Sequence, residues 1–165
     1  MKRVIAVSDS HGDVQNLREC FAMAQKKGRI DAAVFLGDGA DDFAVVRQEL
    51  EASGVQCYAV AGNNDWRCDD PKEIVFSIGG VRFYACHGHT RHVKYGLDRL
   101  WYAARENEAQ VVLYGHTHCA DIMLDYGLQL INPGAVCNRR SRGPAFAEIR
   151  VEDKGAVFPT IICWE

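Results

Sequence analysis

A chain of 165 residues can bury roughly 70% of the surface its unfolded form exposes, so a single domain over residues 1–165 accounts for it without a linker or second module. Apolar residues make up 48% and charged residues 25%, and the formal net charge of -3 excludes a general electrostatic attraction to nucleic acid or to an anionic membrane. Any affinity for phosphate must therefore come from a local site.

In chain order, Val4 to Val7 is a continuous apolar run, as expected of a strand covered on both faces. Val14, Leu17, Phe21 and Ala24 then recur at helical spacing, with Asp13 placed to cap the first turn and Gly28 after the last. The order repeats with a strand from Ala32 to Leu36, a helix from about Asp42 to Ala52 ended by Gly54, and a strand from Val55 to Val60. After Asp69-Asp70-Pro71 the rhythm changes: Ile74 to Ile78, Gly79-Gly80 and Val81 to Cys86 read as a hairpin. A helix from about Gly96 to Glu108 and a strand from Val111 to Tyr114 follow. Two more hairpins are expected around Tyr126-Gly127 and Lys154-Gly155. A βαβαβ first half and a hairpin-rich second half predict two packed sheets with helices outside. Trp101, Tyr102 and the stretch from Ile161 to Trp164 serve either as core or as a contact between subunits of a homo-oligomer.

Seven cysteines without a CxxC pair (Cys20, Cys57, Cys68, Cys86, Cys119, Cys137 and Cys163) read as small, buried, apolar residues in a reducing compartment. Met1 opens directly into a strand at Arg3 with no basic and apolar leader, and no apolar run approaches the ~18 residues of a membrane span. The expected home is the cytoplasm, with no membrane partner.

What sets the chain apart is where its strands end. The first leads to Asp9 and His11, the second to Asp38, the third to Asn63, the strand before Gly88 to His87, and the next to His116 and His118. In an open α/β fold the carboxyl ends of the strands form the ligand-binding edge, so these seven side chains are expected to face one crevice. Burying two carboxylates without compensation costs several kcal/mol each, and a cluster of Asp, Asn and His is stable only around cations. Each piece has an ordinary alternative: Asp9-Ser10-His11 an N-cap with a surface histidine, Gly37-Asp38-Gly39 a turn, Gly62-Asn63-Asn64 another turn. Asp41 and Asp42 are expected to cap the following helix or to support a ligand, and Cys119 to pack. Five of the six histidines nevertheless fall in these motifs, with His92 three residues beyond His89.

The ordered set Asp9-x-His11, Gly37-Asp38, Gly62-Asn63, His87-Gly88-His89 and Gly115-His116-x-His118, closed by Asn132-Pro133-Gly134, resembles the calcineurin-like metallophosphoesterases, in particular their small bacterial and archaeal single-domain phosphodiesterases. The resemblance spans about residues 3 to 150. It implies a four-layer α/β/β/α sandwich and a two-metal site in which Asp9, His11, Asp38 and His118 hold the first ion and Asp38, Asn63, His87 and His116 the second, Asp38 bridging. Mixed oxygen and imidazole ligands suit Mn, here preferred, or Fe, Zn or Ni, with no thiolate required. Two dications carry +4, which Asp9 and Asp38 reduce to +2. The implied reaction is in-line attack on phosphorus by a hydroxide activated between the ions.

Two departures from the family pattern bear on substrate. Many relatives carry a histidine directly after the ligand Asn, where this chain has Asn64, which can donate a hydrogen bond to phosphate but cannot deliver a proton near neutral pH. Leaving groups of high pKa should be handled poorly, which favours phosphodiesters over alkyl monoesters. His89 is the next candidate for proton transfer, or else merely orients another group. Ala135 replaces the serine that often closes the Asn-Pro-Gly loop. Three arginines follow in four positions, and if that loop folds over the metals Arg139 can grip a substrate phosphate. The leading expectation is a phosphodiesterase for a small or nucleotide-like substrate, with no surface for large nucleic acid. The alternatives are a metal-binding scaffold of the same fold and a phosphomonoesterase or protein phosphatase.

Overall fold

A computed structural model describes residues 1–137 and 143–165. The apolar run near the start forms β1 (Lys2–Val7), parallel to β2 (Ala32–Phe35), which is in turn parallel to β3 (Gln56–Ala59). The crossovers are α1 (Val14–Lys26) and α2 (Ala40–Ala52). β4 (Glu73–Ile78) and β5 (Val81–Cys86) are the expected antiparallel hairpin, but they open a second sheet. In it β6 (Val111–Leu113) lies parallel to both β5 and β8 (Leu128–Asn132), and β7 (Asp121–Asp125) pairs antiparallel with β8 at the edge. The last hairpin, β9 (Ala145–Val151) and β10 (Val157–Cys163), returns to the first sheet against β1. The strand orders are β10-β9-β1-β2-β3 and β4-β5-β6-β8-β7.

Both faces of β1 are apolar because it separates two cores. Val4 and Ala6 face the second sheet, meeting Phe83, Ala85, Val111 and Leu113. Ile5 and Val7 face α1 and α2 through Leu17, Phe21, Phe43 and Val46. Tyr58, Phe76 and Phe83 stack successively between the sheets at 4.1 and 5.1 Å. The outer face of the second sheet buries Tyr84, Val112 and Leu130 against α3 (Asp98–Glu106) through Leu100 and Ala104. The layers are therefore α/β/β/α.

Three expected boundaries move. α3 starts at Asp98 rather than near Gly96, because Gly96 has φ +130°, outside any helical conformation, and 3-10 turns at His89–Arg91 and Val93–Tyr95 precede it. β3 is shorter than the expected run. α2 begins at Ala40, so Asp41 and Asp42 lie in its first turn, and its cap is Gly39, which has no side chain to offer. Asp13 does cap α1, accepting from the Asn16 N–H at 3.0 Å. Ile161, Ile162 and Trp164 pack on the cores, and Trp101 leans on the α3 core, whereas Tyr102 is 64% exposed.

Candidate metal centre

The two sheets present the carboxyl ends of their parallel strands to the same edge of the sandwich. Five of the predicted ligands occupy left-handed backbone there: Asp9, His11, Asp38, His116 and His118 have φ between 44° and 70°. Eight non-glycine residues among those described do so, and each such residue costs on the order of 1–3 kcal/mol unless its surroundings enforce it. Main-chain bonds enforce it here. Asp9 N–H donates to the Gly37 carbonyl at 2.9 Å, His11 N–H to Asp38 at 3.0 Å, and Gly115 N–H to His87 at 2.8 Å. Such strain is kept where geometry matters more than stability.

Six of the seven predicted side chains, all but that of Asn63, come together. His11 Nε2 lies 3.5 Å from Asp9 Oδ1 and 3.7 Å from Asp38 Oδ2, and His118 Nε2 lies 3.2 Å from Asp9 Oδ1. On the other side of Asp38, His87 Nε2 lies 3.3 Å from Oδ2 and 3.2 Å from His116 Nδ1. Asp9, His11 and Asp38 form one group that could hold an ion, and Asp38, His87 and His116 another. Asp38 is common to both.

The residues fit cations by their hydrogen bonding. Asp9 is fully buried; its Oδ2 accepts from Ser8 Oγ at 2.6 Å and from the His116 N–H at 3.1 Å, while Oδ1 faces the cluster with no hydrogen-bond partner. Leaving a buried carboxylate oxygen unsatisfied is costly, and a positive ion is what that oxygen lacks. The Nδ1 of His87 lies 2.6 Å from the Leu36 carbonyl, which can only accept; Nδ1 therefore carries the proton and Nε2 offers its lone pair to the cluster. Burial pushes the carboxyl pKa of Asp9 up, but His11, His118 and His87 beside it hold the group well below the usual carboxylate range. Burial and the neighbouring His87 push the His116 imidazole down to about 4, so it is a neutral donor near pH 7. Burial also lowers His87, yet Asp38 and Asp9 more than offset it, and a cation must compete with the proton they attract.

Asn63 is exposed in the turn after Gly62, between a glycine packed against Asp38 and Asn64, whose N–H and Nδ2 both donate to the Asp38 carboxylate at 2.9 Å. A side chain on Gly62 would overlap Asp38 Oδ1, and one on Gly115 would overlap Ser8 Oγ, so both close approaches require glycine. His89 sits beside the second group, its ring 5.5 Å from His87 and 6.2 Å from His116, with Nδ1 buried and without a hydrogen bond. Burial and His87 hold its pKa below the ordinary imidazole value. His92 is exposed between the two 3-10 turns. Cys119 is exposed rather than packed. Arg139 and the rest of the arginine-rich stretch lie outside the described residues.

Sequence reasoning missed the most connected support. Asp65 accepts four backbone N–H groups: Oδ2 those of Asp38 at 2.6 Å and Gly62 at 2.8 Å, Oδ1 those of Gly39 and Ala40 at 3.0 Å each. It caps α2 from outside and fixes the backbone of Asp38, the residue common to both groups. Only the acidic residue after Asn63-Asn64 hinted at it. Asp42, read as a cap or a support, is a support: its Oδ2 accepts from Ser10 Oγ at 2.7 Å and the Gly12 N–H at 2.8 Å, tying down the loop of Asp9 and His11. Asn132, fully buried, donates to the Gly115 carbonyl at 3.2 Å and to Thr117 Oγ1 at 2.9 Å. That ties the Asn-Pro-Gly loop to the loop carrying His116 and His118.

Comparison with known proteins gives the family and the fold. The sequence model of the calcineurin-like phosphoesterase superfamily domain matches residues 1–154. The chain is 28% identical over 155 residues to a probable metallophosphoesterase, YsnB, of Bacillus subtilis, covering 93% of this chain and 86% of that protein. It is 26% identical over 162 residues to the phosphodiesterase MJ0936 of Methanocaldococcus jannaschii, covering 90% and 92%. Among solved structures, a predicted phosphoesterase of Streptococcus pneumoniae shares the fold with a TM-score of 0.76 and 24% identity, covering 99% of this chain and 98% of the other. Vps29 of Entamoeba histolytica, solved with zinc, shares it at 0.74 and 19% identity, with 98% of each chain covered.

Proposed function

This chain belongs to the calcineurin-like phosphoesterase superfamily, a family of metal-dependent phosphoesterases, and from that premise we propose that it is a phosphodiesterase acting on a small or nucleotide-like diester at a two-metal centre. The observation that carries the reading is the pair of ligand groups sharing Asp38, one on each side of a single buried carboxylate. Asp9, His11, Asp38 and His118 would hold one divalent transition ion and Asp38, Asn63, His87 and His116 the other, with Mn the preferred metal for both on the oxygen and imidazole donors. Such ions, when bound, supply an activated hydroxide and neutralise charge developing on phosphorus.

The chain's own residues do the rest. Asn64, already bonded to Asp38, stands where it can orient a phosphate oxygen without transferring a proton. His89 presents a neutral ring at neutral pH. The negative charge of a bound phosphate raises its pKa again, so the ring would take up a proton from solvent as substrate binds and pass it to the leaving oxygen. Beside Asn64 a shallow cleft lined by Asp41, Trp66, Arg67 and Cys68 offers an indole that is 81% exposed, suited to stack on the flat ring of a nucleotide-like leaving group. No described helix is long and apolar enough to cross a membrane, and the cysteine thiols suit a reducing, cytoplasmic home.

A protein-binding scaffold is the second reading, favoured by the likeness to Vps29 and by Leu124 on the edge strand β7 and Tyr126 directly after it, 72% and 84% exposed. The filled ligand set weighs toward catalysis. Hydrolysis of a chromogenic diester with added Mn, in wild type and Asp38→Asn, decides between them: the substitution should abolish turnover, and unchanged turnover would overturn the mechanism. Diester and monoester substrates with one common leaving group test the specificity, and Asn64→His should move the rate ratio toward the monoester.

A further inference from the structure

The cysteines were expected to pack, and Cys137 is indeed buried, at 4% exposure. Its position, however, is set by the metal loop. The Val136 N–H donates to the Ser8 carbonyl at 3.0 Å and the Cys137 N–H to the Asp9 carbonyl at 3.2 Å, while Asn16 Nδ2 holds the Val136 carbonyl at 3.2 Å. Residues 136 and 137 thus lie alongside the ligand loop and cannot shift without it. The Sγ of Cys137 and ring nitrogens of His11 and His118 lie within 4.8 Å of one another. The unsatisfied Asp9 Oδ1 points into the same space, 3.2 Å from His118 Nε2 and 3.5 Å from His11 Nε2.

We propose that Cys137 is a protein ligand of the first metal ion, joining Asp9, His11 and His118, so that this position selects a thiophilic ion such as Zn rather than Mn. The inference rests on the two-metal reading and refines one half of it. The Asp9 carboxylate and the Cys137 thiolate cancel the charge of a dication, and with two neutral imidazoles and the shared Asp38 carboxylate they give a mixed oxygen, nitrogen and sulfur donor set that zinc accepts. Binding releases the thiol proton to solvent. The second position, built from Asp38, Asn63, His87 and His116, has no such thiol among the described residues and keeps the preference for harder ions. The chain would then carry two chemically unlike sites joined by Asp38.

X-ray absorption at the zinc edge of the full chain, loaded with zinc and dialysed, tests this. The expected spectrum contains a sulfur shell at about 2.3 Å alongside nitrogen and oxygen at roughly 2.0–2.2 Å. The sulfur shell should vanish in Cys137→Ser at undiminished zinc content, and should persist when Cys68, Cys119 and Cys163 are all replaced by Ser, which assigns the donor without altering the site. A wild-type spectrum with zinc bound but no sulfur overturns the proposal and leaves the two-metal reading standing. Sulfur that survives in a folded Cys137→Ser variant also overturns it. Protein that retains no zinc overturns the proposal, and protein that retains neither zinc nor Mn after loading overturns the two-metal reading with it.

Discussion

Asp65→Asn isolates the support that the sequence did not announce. The carboxylate accepts four backbone N–H groups, two on each oxygen. An amide keeps the shape but turns one oxygen into an NH2, so whichever way it faces, two donors meet a donor. Hydrogen bonds to a charged acceptor contribute roughly 1.5–3 kcal/mol each, so losing two costs about 3–6 kcal/mol. Asp65 is half-buried and water can reach part of the gap, which brings the expected loss to about 2–4 kcal/mol, a large share of the ~5–15 kcal/mol that holds a domain together. With a urea m value of roughly 2–3 kcal/mol/M, the unfolding midpoint should fall by about 1 M. One pair includes the Asp38 N–H and the other the adjoining Gly39 N–H, so in either orientation metal affinity measured by competition with a chelator should fall as well. A midpoint within ~0.2 M of wild type would show that the four bonds hold nothing that water cannot replace.

Backbone strain makes a prediction of unusual sign. His116 has φ +70°, so metal-free His116→Gly should be more stable than His116→Ala by about 1 kcal/mol, whereas at an ordinary strand or helix position alanine is favoured. Equal stabilities in chemical denaturation would mean that the loop relaxes freely. The pH dependence follows from the pair formed by Arg3 and Glu148, joined at 2.7 and 3.3 Å and largely buried. The hydrogen bond from Arg3 holds the Glu148 carboxyl below its ordinary value, so its stabilisation is complete above the unfolded pKa of about 4.3 and is lost as pH falls through the folded value. Glu148→Gln should therefore be much less stable than wild type at pH 7, with the gap closing below pH ~4; a gap independent of pH would refute that assignment.

Much of this was legible because strands written in Val, Ile and Ala stop abruptly at the candidate ligands. Asp9, Asp38, His87 and His116 each follow an apolar run, and the parallel order of β1 to β3 and of β5 and β6 converts chain position into spatial position. The layers were legible in the run Val4 to Val7, apolar on both faces because it borders two cores. The supports were not. Asp65 works through acceptor bonds to main-chain groups up to 27 residues away, and backbone donors leave no mark on residue types. Cys137 lay hidden for a related reason: its place beside Asp9 comes from main-chain pairing across the return from β8 to β9, and by composition it is one more buried thiol. The start of α2 was misplaced because its cap comes from Asp65 rather than from a residue next to it in the chain.

The central claim is that one carboxylate joins two ions, and anomalous diffraction from crystals of the metal-loaded protein tests it most directly. Two peaks should appear on either side of Asp38 at a separation of about 3.5–4 Å, one toward Asp9, His11 and His118 and the other toward His87 and His116. A single peak, or peaks away from Asp38, would contradict it.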